Sequence, residues 1–339
     1  MDAAAAGGGR PVPRLLAVGS GGNRFIELLA EARRIRNATQ YDWDCLAGIS
    51  AGALLCGLIS ILPRDDLRAF NARLDVAIGQ FSHSAKASPF RPWVPLGGFA
   101  NALLSVLLQK PSLFQGNRRF LREQFDTKAF VASRRRLMVG VYDNTRQQYT
   151  TVDSGFHTPA EMRTAIEASA AIPGVLPPVM LLGGHRCRDG GLAHTIPVNE
   201  IKSFVDKYAH DGPVHVDLLI SGNMRAPAMS RSVTVTSSLM DMCGSLVWGN
   251  LQKDLRDLVR SLLVDRTCTV REEQRVYDAL LGGTQRNFTR PWGTLRVVSA
   301  GNLGERVKRT YFGRPQAELA KFLYDKGLRA ADAALKGKM

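Results

Sequence analysis

The segment that most constrains the fold of this chain is Gly48-Ile49-Ser50-Ala51-Gly52, which places one serine between two glycines. The residues before it, Asp44 to Ala47, can form a short buried strand, and Ala51 to Leu62 is a run of helix formers that ends before Pro63. A G-x-S-x-G pattern between a strand and a helix is typical of a nucleophile elbow, in which the serine occupies a strained turn. The flanking glycines lack a Cβ, so the two backbones can approach closely. The segment therefore predicts a serine hydroxyl held clear of a sheet, at the positive end of a helix dipole.

The charge balance limits the class of partner. The 339 residues are 45% hydrophobic and carry 45 Lys+Arg against 30 Asp+Glu, a formal net charge of +15. This composition is that of a globular protein, and the positive charge favours lipid headgroups, nucleic acid or acidic proteins without choosing among them. Four basic clusters are interpreted as solvated faces: Arg33 to Arg36, Arg118-Arg119, Arg134 to Arg136 and Arg306 to Arg309.

The cysteines and the absence of targeting signals indicate a cytoplasmic protein. Residues Met1 to Pro13 are rich in Ala, Gly and Pro and have no apolar core, so we expect a disordered tail and no signal peptide. The uncharged run from Cys45 to Pro63 approaches the length of a membrane span, but a buried strand and a buried helix explain it better. Five cysteines, an odd number without paired spacing, predict reduced core thiols: Cys45, Cys56, Cys187, Cys243 and Cys268.

Strands and helices alternate along the chain, which predicts a mainly parallel sheet covered on both faces. The predicted strands are Leu15 to Val18, Asp44 to Ala47, Arg136 to Tyr142, Gln148 to Val152, Val179 to Arg186, His215 to Ser221 and Leu295 to Ser299. The predicted helices are Phe25 to Ile35, Ala51 to Leu62, Asp65 to Phe81, Phe99 to Gln109, Asn117 to Phe125, Pro159 to Ala171, Ser237 to Leu263, Arg271 to Leu281 and Pro315 to Leu335. We expect one domain over residues 14–339, with a helical insertion around 64–130 and a mostly helical C-terminal portion around 222–339.

A serine nucleophile needs a site that stabilises the oxyanion of its tetrahedral intermediate. The glycine-rich turn from Gly19 to Asn23 follows the first strand and leads into a helix, so its backbone N–H groups can converge on a negative charge. The same turn could instead cradle a nucleotide phosphate, but it lacks the spacing of the nucleotide-binding glycine motifs. An oxyanion site is therefore favoured.

The order of residues argues against an ordinary Ser-His-Asp triad. An α/β-hydrolase places several strands before its nucleophile, whereas one strand precedes the elbow strand here. His194, His210 and His215 follow Asp189 in the right order, but each is more typical of a surface or loop histidine. Asp189 follows an apolar strand and precedes two glycines that permit a tight turn, so its carboxylate could serve as the base of a Ser-Asp dyad. Taken alone, such an Asp-Gly-Gly segment is more often only a turn.

Four segments stand in a fixed order along the chain. They are the turn Ser20 to Phe25, the elbow Gly48 to Gly52, the helix end Ala165 to Pro173 with the proline-rich Leu176 to Val179, and Asp189-Gly190-Gly191. Together they resemble the patatin-like phospholipase family over roughly Arg14 to Asn199. The family turn is usually Gly-Gly-Gly-x-Arg-Gly, and its first and last glycines are replaced here by Ser20 and Phe25. After Asp-Gly-Gly the family tends to have Asn before x-Pro, where this chain has Thr195.

The resemblance implies a patatin-like three-layer α/β sandwich with a mainly parallel central sheet and extra helices. It also implies a Ser-Asp dyad without a catalytic histidine, in which Ser50 is the nucleophile and Asp189 the base. The activity expected is that of a lipid acyl hydrolase of the phospholipase A type, which cleaves carboxylic esters of phospholipids or related lipids through an acyl-enzyme.

The resemblance further implies roles around the glycine turn. The backbone at Gly21 and Gly22, with the Ala51 N–H as an extra donor, is expected to form the oxyanion hole. Arg24 matches the arginine of the family turn. Its expected role is to brace that turn or to bind a phosphate of the lipid substrate.

The cofactor and partner expectations combine the residues and the net positive charge with the same resemblance. We expect no metal or other cofactor, because no His, Cys, Asp and Glu set stands at ligand spacing and the family chemistry is independent of metal. The expected partners are a membrane phospholipid substrate and an anionic membrane surface, with an activating protein as a further candidate and nucleic acid disfavoured. The expected location is the cytoplasm, with peripheral membrane association.

An alternative from another functional class remains open. The chain could be a catalytically silent patatin-like module that uses a basic surface to bind nucleic acid or membrane. The presence of Ser50 and Asp189 argues against this alternative, and the altered glycine turn argues weakly for it.

Overall fold

The computed structural model describes residues 11–21, 24–83, 125–172, 177–221, 248–265, 267–282, 286–301 and 316–336. Several sequence-based predictions lie outside these ranges. They are the helix Phe99 to Gln109, nearly all of the helix Asn117 to Phe125, most of the N-terminal tail, Gly22, Cys243 and the first half of the helix Ser237 to Leu263.

The described residues form a nine-stranded sheet with helices on both sides. The strands are β1 (Arg14–Val18), β2 (Cys45–Ile49), β3 (Arg136–Asp143), β4 (Gln148–Asp153), β5 (Val179–Leu181), β6 (His185–Asp189), β7 (Val214–Ile220), β8 (Asn287–Arg290) and β9 (Gly293–Ser299). The helices are α1 (Phe25–Thr39), α2 (Ala51–Ser60), α3 (Leu67–His83), α4 (Thr127–Ser133), α5 (Pro159–Ser169), α6 (Val198–Tyr208), α7 (248–258), α8 (Val270–Gly282) and α9 (Gln316–Lys336).

The centre of the sheet is parallel. Strands β3, β2, β1, β7 and β9 lie side by side in that order, and each neighbouring pair is parallel. Strands β4, β6 and β8 each run antiparallel to β3 or β9 at the edges. Since the central strands are covered on both faces, they form short apolar runs, which is the pattern that identified them in the sequence.

Side chains that alternate along the central strands enter two separate hydrophobic clusters. In β1, Leu16 and Val18 pack with α1, α2 and α9, whereas Leu15 and Ala17 pack with α6, α7 and α8. Each fully buried Leu or Val contributes about 1.5–3 kcal/mol to stability, so both faces hold their helices firmly. This arrangement is the three-layer α/β sandwich that the sequence predicts.

The edge beyond β3 differs from the prediction. The sequence suggests one strand from Val179 to Arg186, which is wrong, because the structure has two antiparallel strands, β5 and β6, joined by a tight turn. Gly183 and Gly184 in this turn have φ values of 76° and 77°, which reverse the chain direction. The second strand then continues to Asp189.

The ends of β2 and β6 meet on the same side of β3. Strand β2 pairs in parallel with β3 as far as Ile49 opposite Gly140, and β6 pairs antiparallel with β3 down to Asp189 opposite Val141. Strand β4 occupies the other side of β3 along this stretch. The C-terminal ends of β2 and β6 therefore point at each other, which brings the residues that follow them together.

Most arginines of the described basic clusters are ion-paired, so the interpretation as solvated faces is wrong for the buried Arg36 and Arg135, whereas Arg134 is exposed. The pairs are Arg33–Asp75, Arg34–Asp332, Arg36–Asp42, Arg135–Asp42 and Arg136–Asp153. Arg36 and Arg135 are buried, because an arginine stem can cover apolar surface while its head group binds carboxylates. The clusters at Arg118-Arg119 and Arg306 to Arg309 lie outside the described residues.

The remaining predictions concern cysteines and membrane spans. Cys45, Cys56 and Cys187 are buried free thiols, while Cys268 is a free thiol that is only half-buried. The uncharged run from Cys45 to Pro63 forms the buried β2 and α2. Within the described ranges, no helix has both the length and the apolar character that crossing a bilayer requires.

Candidate active site

Ser50 lies in a strained turn between β2 and α2. Its backbone has φ 57° and ψ −120°, a conformation that L residues rarely adopt and that marks a nucleophile elbow. A Cβ on Gly48 would lie 2.4 Å from the carbonyl oxygen of Gly52, and a Cβ on Gly52 would lie 2.2 Å from that of Val18. Both glycines are therefore required by close backbone contacts, and the elbow predicted from the sequence is present.

The Ser50 hydroxyl is hydrogen-bonded to Asp189. Ser50 Oγ donates to Asp189 Oδ2 at 2.7 Å, and the Gly191 N–H donates to Asp189 Oδ1 at 2.7 Å. Both side chains are buried, with Ser50 4% and Asp189 5% exposed. The two residues that sequence analysis selected as nucleophile and base are thus brought together across 139 positions of the chain.

The environment of Asp189 makes its carboxylate a stronger base than an exposed one. Burial raises the pKa of Asp189 to about 6, while the hydrogen bonds from Ser50 and from the Gly191 N–H oppose that rise. At pH 7 the carboxylate is still ionised. A base whose pKa lies close to the working pH is well suited to take a proton from a nucleophile.

Ser169 braces the elbow from the end of α5. Its hydroxyl donates to the Gly140 carbonyl oxygen at 2.6 Å and accepts from the Ser50 N–H at 2.8 Å. The sequence predicts no role for Ser169, although this residue stands in the segment Ala165 to Pro173 that carries the family resemblance. Because the Ser50 N–H is engaged by Ser169, an oxyanion has to find its donors elsewhere.

The glycine turn lies against both halves of the site. Its Ser20 N–H donates to the Thr195 carbonyl oxygen at 2.8 Å. A Cβ on Gly52 of the elbow would be 2.7 Å from the Gly19 carbonyl oxygen, and one on Gly191 would be 3.5 Å from the Ser20 Cβ. The turn therefore touches the elbow on one side and the Asp189 turn on the other.

The predicted oxyanion donors are described only in part. Ala51 is the first residue of α2, so its N–H has no partner within the helix. The Gly21 carbonyl oxygen accepts a hydrogen bond from the Arg24 N–H at 2.9 Å, and the Gly21 N–H makes no hydrogen bond to any described residue. Gly22 lies outside the described residues. Of the three predicted donors, Ala51 thus lies next to Ser50 and Gly21 lies in the turn beside the elbow. The role of all three stays a prediction.

Arg24 is buried and bound within the protein. Its guanidinium lies 2.6 Å from Glu27 Oε1, and its Nη2 donates to the Gly301 carbonyl oxygen at 3.1 Å. Lys326 Nζ donates to the same carbonyl at 3.1 Å. These contacts tie the start of α1 to the residue Gly301 that follows β9. Both roles expected of Arg24, bracing the glycine turn and binding a lipid phosphate, stay predictions.

The candidate histidines bind other acids. His194 Nδ1 lies 2.6 Å from Asp254, and His215 Nε2 lies 3.1 Å from Asp217. His210 is exposed. In the described part of the chain, none of them is hydrogen-bonded to Ser50, and no group of three or more His, Cys, Asp or Glu side chains could hold a metal ion.

Comparison with protein families decides the classification. Residues 16–201, more than half of the chain, match the model of the patatin-like phospholipases. The chain belongs to the patatin-like phospholipase family. This confirms the resemblance seen in the sequence, and the members of this family are lipid hydrolases. No curated protein sequence matches the chain significantly.

Two bacterial proteins of known structure are similar to this patatin-like chain. VipD from Legionella pneumophila aligns with a TM-score of 0.44 and 11% identity, over 96% of this chain and 67% of VipD. Full-length ExoU from Pseudomonas aeruginosa, solved in complex with full-length SpcU, aligns with a TM-score of 0.32 and 16% identity, over 82% of this chain and 61% of ExoU. This chain therefore spans only about two thirds of these proteins, and similarities of this size carry no argument about its activity.

Proposed function

We propose that this chain is a lipid acyl hydrolase that cleaves carboxylic esters of phospholipids or related lipids, with Ser50 as nucleophile and Asp189 as base. Family membership supplies the coarser class, that of a lipid hydrolase. The observation that carries the proposal is the 2.7 Å hydrogen bond from Ser50 Oγ to Asp189 Oδ2, made by a serine on a strained elbow.

The first half of the proposed reaction acylates Ser50. Its Oγ attacks the ester carbonyl carbon while Asp189 takes the hydroxyl proton, and the carbonyl oxygen becomes an oxyanion. The Ala51 N–H and the N–H groups at Gly21 and Gly22 are the proposed donors to that oxyanion. When the tetrahedral intermediate collapses, the proton on Asp189 passes to the departing alcohol, and the acyl group remains on Ser50.

The second half hydrolyses the acyl-enzyme. Asp189, ionised again, takes a proton from a water molecule that attacks the acyl carbon. The intermediate collapses, Ser50 Oγ recovers a proton from Asp189, and the fatty acid leaves. Because one carboxylate performs both proton transfers, neither a histidine nor a metal ion is required.

The positive net charge supports adsorption to anionic membranes. Each basic residue near a membrane surface can add about 1 kcal/mol to binding. The chain carries a formal net charge of +15, although several arginines are neutralised by internal ion pairs. We propose peripheral association with an anionic membrane that presents the phospholipid substrate, and an activating protein is a further partner to test for.

A labelling experiment tests the proposed function. The wild-type chain is expected to react with a fluorophosphonate probe and to release fatty acid from vesicles of phosphatidylcholine and phosphatidylglycerol, whereas Ser50→Ala should do neither. A wild-type protein that neither labels nor releases fatty acid from any ester lipid would refute the proposal. Salt-dependent binding to DNA or RNA that is unaffected by Ser50→Ala would instead support the silent binding module.

The pH dependence gives a second test. The ionised form of Asp189 is the active base, so kcat/KM on a soluble ester should fall about tenfold for each pH unit below the pKa of about 6. Profiles at two temperatures identify the group, because carboxyl ionisation has an enthalpy near zero and imidazole ionisation a large one. Near-ultraviolet circular dichroism checks that the protein stays folded at low pH. Activity that is constant through this range, or a midpoint that shifts with temperature, would exclude Asp189 as the base.

A further inference from the structure

A helix outside the family-matched region contacts the turn that carries Asp189. The described part of helix α7 starts at residue 248, whereas the family match ends at residue 201. Its Asp254 is fully buried. Burying a carboxylate costs free energy unless it is hydrogen-bonded. The groups that Asp254 binds therefore indicate its structural role.

Asp254 accepts hydrogen bonds from the segment that follows the Asp189 turn. Its Oδ2 accepts from the Thr195 N–H at 2.5 Å, from the Thr195 hydroxyl at 3.0 Å and from the Ile196 N–H at 3.0 Å. Its Oδ1 lies 2.6 Å from His194 Nδ1. Through these four contacts one side chain holds three consecutive residues, His194, Thr195 and Ile196.

Asn250 contacts the same turn nearer to Asp189. It stands one helical turn before Asp254 and therefore on the same face of α7. Its Nδ2 donates to the Leu192 carbonyl oxygen at 3.1 Å and approaches that of Gly191 at 3.4 Å. The Gly191 N–H in turn donates to Asp189 Oδ1, so Asn250 is two contacts away from the proposed base.

The segment held by Asp254 also supports the glycine turn. The Thr195 carbonyl oxygen accepts from the Ser20 N–H at 2.8 Å. A Cβ on Gly19 would lie only 2.7 Å from that same oxygen, so the contact is close. Asp254 therefore fixes Thr195 through the N–H and the hydroxyl of that residue. The Thr195 carbonyl oxygen in turn fixes the glycine turn, which is proposed to hold the oxyanion.

We propose that Asp254 and Asn250 are positioning residues that set the placement of Asp189 and of the glycine turn relative to Ser50. This inference rests on the proposed function, in which Asp189 is the base. Catalytic groups must be held within about 0.5 Å of their productive geometry, and a misplacement of about 1 Å can cost about 100-fold in rate. In this way a helix beyond the family match holds two turns of the proposed active site in place.

Removal of the Asp254 carboxylate should lower the rate of the chemical step more than it weakens substrate binding. In Asp254→Ala, kcat and the rate of fluorophosphonate labelling are expected to fall about 10- to 100-fold, with KM within about threefold of wild type. Asp254→Asn keeps one oxygen for Thr195 and Ile196 and should recover part of the loss. The matched control is Asp257→Ala on the same helix, whose carboxylate makes no hydrogen bond to a described residue and whose rates should stay within about twofold.

Hydrogen exchange tests the positioning independently of activity. The backbone amides of residues 191–196 should lose protection in Asp254→Ala and keep it in Asp257→Ala. If the wild-type protein neither reacts with the probe nor hydrolyses esters, the proposed function fails. Hydrogen exchange alone then decides whether α7 holds the turn. If Asp254→Ala does not fold, the half-buried Asn250→Ala carries the same test. A folded variant with native protection over residues 191–196 and wild-type labelling and kcat would overturn the inference.

Discussion

Replacement of Asp189 by asparagine is expected to lower fluorophosphonate labelling and ester hydrolysis by at least about 10⁴-fold. The amide side chain has nearly the same shape as the carboxylate, but it cannot take the proton from Ser50 Oγ, which lies 2.7 Å from Asp189 Oδ2. The hydroxyl would then have to attack without a base. The expected loss therefore comes from chemistry rather than from a change of fold.

The measurement compares initial labelling and hydrolysis rates of wild type, Asp189→Asn and Asp257→Asn at one pH. The last variant makes the same chemical change at a position outside the site and should behave as wild type. If Asp189→Asn keeps more than a tenth of the wild-type rate, another group must act as the base.

The same substitution should stabilise the folded protein above pH 6. Burial raises the pKa of Asp189 from 3.8 to about 6, so the folded state holds this proton more tightly than the unfolded chain. The carboxylate therefore costs stability as pH rises from about 4 to about 6, and the full cost is present above pH 6. A shift of this size corresponds to about 3 kcal/mol, and asparagine should recover about 1–3 kcal/mol because it loses one hydrogen bond. Denaturant unfolding at pH 7.5 and at pH 4 measures the difference, which should shrink at the lower pH.

Replacement of Gly52 by alanine is expected to destabilise the fold by about 3 kcal/mol or more and to abolish labelling. The new Cβ would lie 2.2 Å from the Val18 carbonyl oxygen and 2.7 Å from that of Gly19. These atoms belong to backbone, so no side chain can rotate away. Either α2 moves away from β1 and carries Ser50 with it, or the glycine turn shifts, and both displace the nucleophile from its proposed oxyanion donors.

The control for Gly52→Ala is Gly249→Ala in α7. A Cβ on Gly249 meets nothing within 4 Å, so this substitution should change stability by less than about 1 kcal/mol, towards greater stability. Thermal unfolding and labelling of both variants separate the steric effect from the general effect of alanine in a helix. A Gly52→Ala variant with wild-type stability would show that the elbow does not need this glycine.

The central strands were predicted from the sequence because their side chains are buried on both faces. Such strands form apolar runs that stand out from the polar loops around them. The edges were predicted less well. Strand β8 was missed because Phe288 is its one buried residue. Helix α6 was also missed, although Val198, Ile201 and Val205 stand at helical spacing and are buried, a signal that could have identified it.

The residues of the candidate site also differ in how far they could be predicted from the sequence. Ser50 is recognisable from five consecutive residues, because the elbow is a local structure with local steric requirements. Asp189 required the order of four separate segments, since an Asp-Gly-Gly turn alone has no specific meaning. Ser169 stands in one of those segments but was given no role, and Asp254 has no motif beside it, because each acts on residues far away in sequence. The turn at Gly183 and Gly184 was also not predicted. It divides one predicted strand into the antiparallel β5 and β6, and β6 then ends beside the elbow.

The sequence by itself determined the elbow, the parallel centre of the sheet and the family, because glycine sterics and hydrophobic patterning act between near neighbours. Only the tertiary structure decided which groups surround the serine. Asp189 reaches Ser50 because β2 and β6 end against each other on β3, and its turn is held by Asp254 from a helix beyond the family match. Hydrogen bonds between distant segments depend on how whole strands and helices pack, and no short pattern encodes that packing.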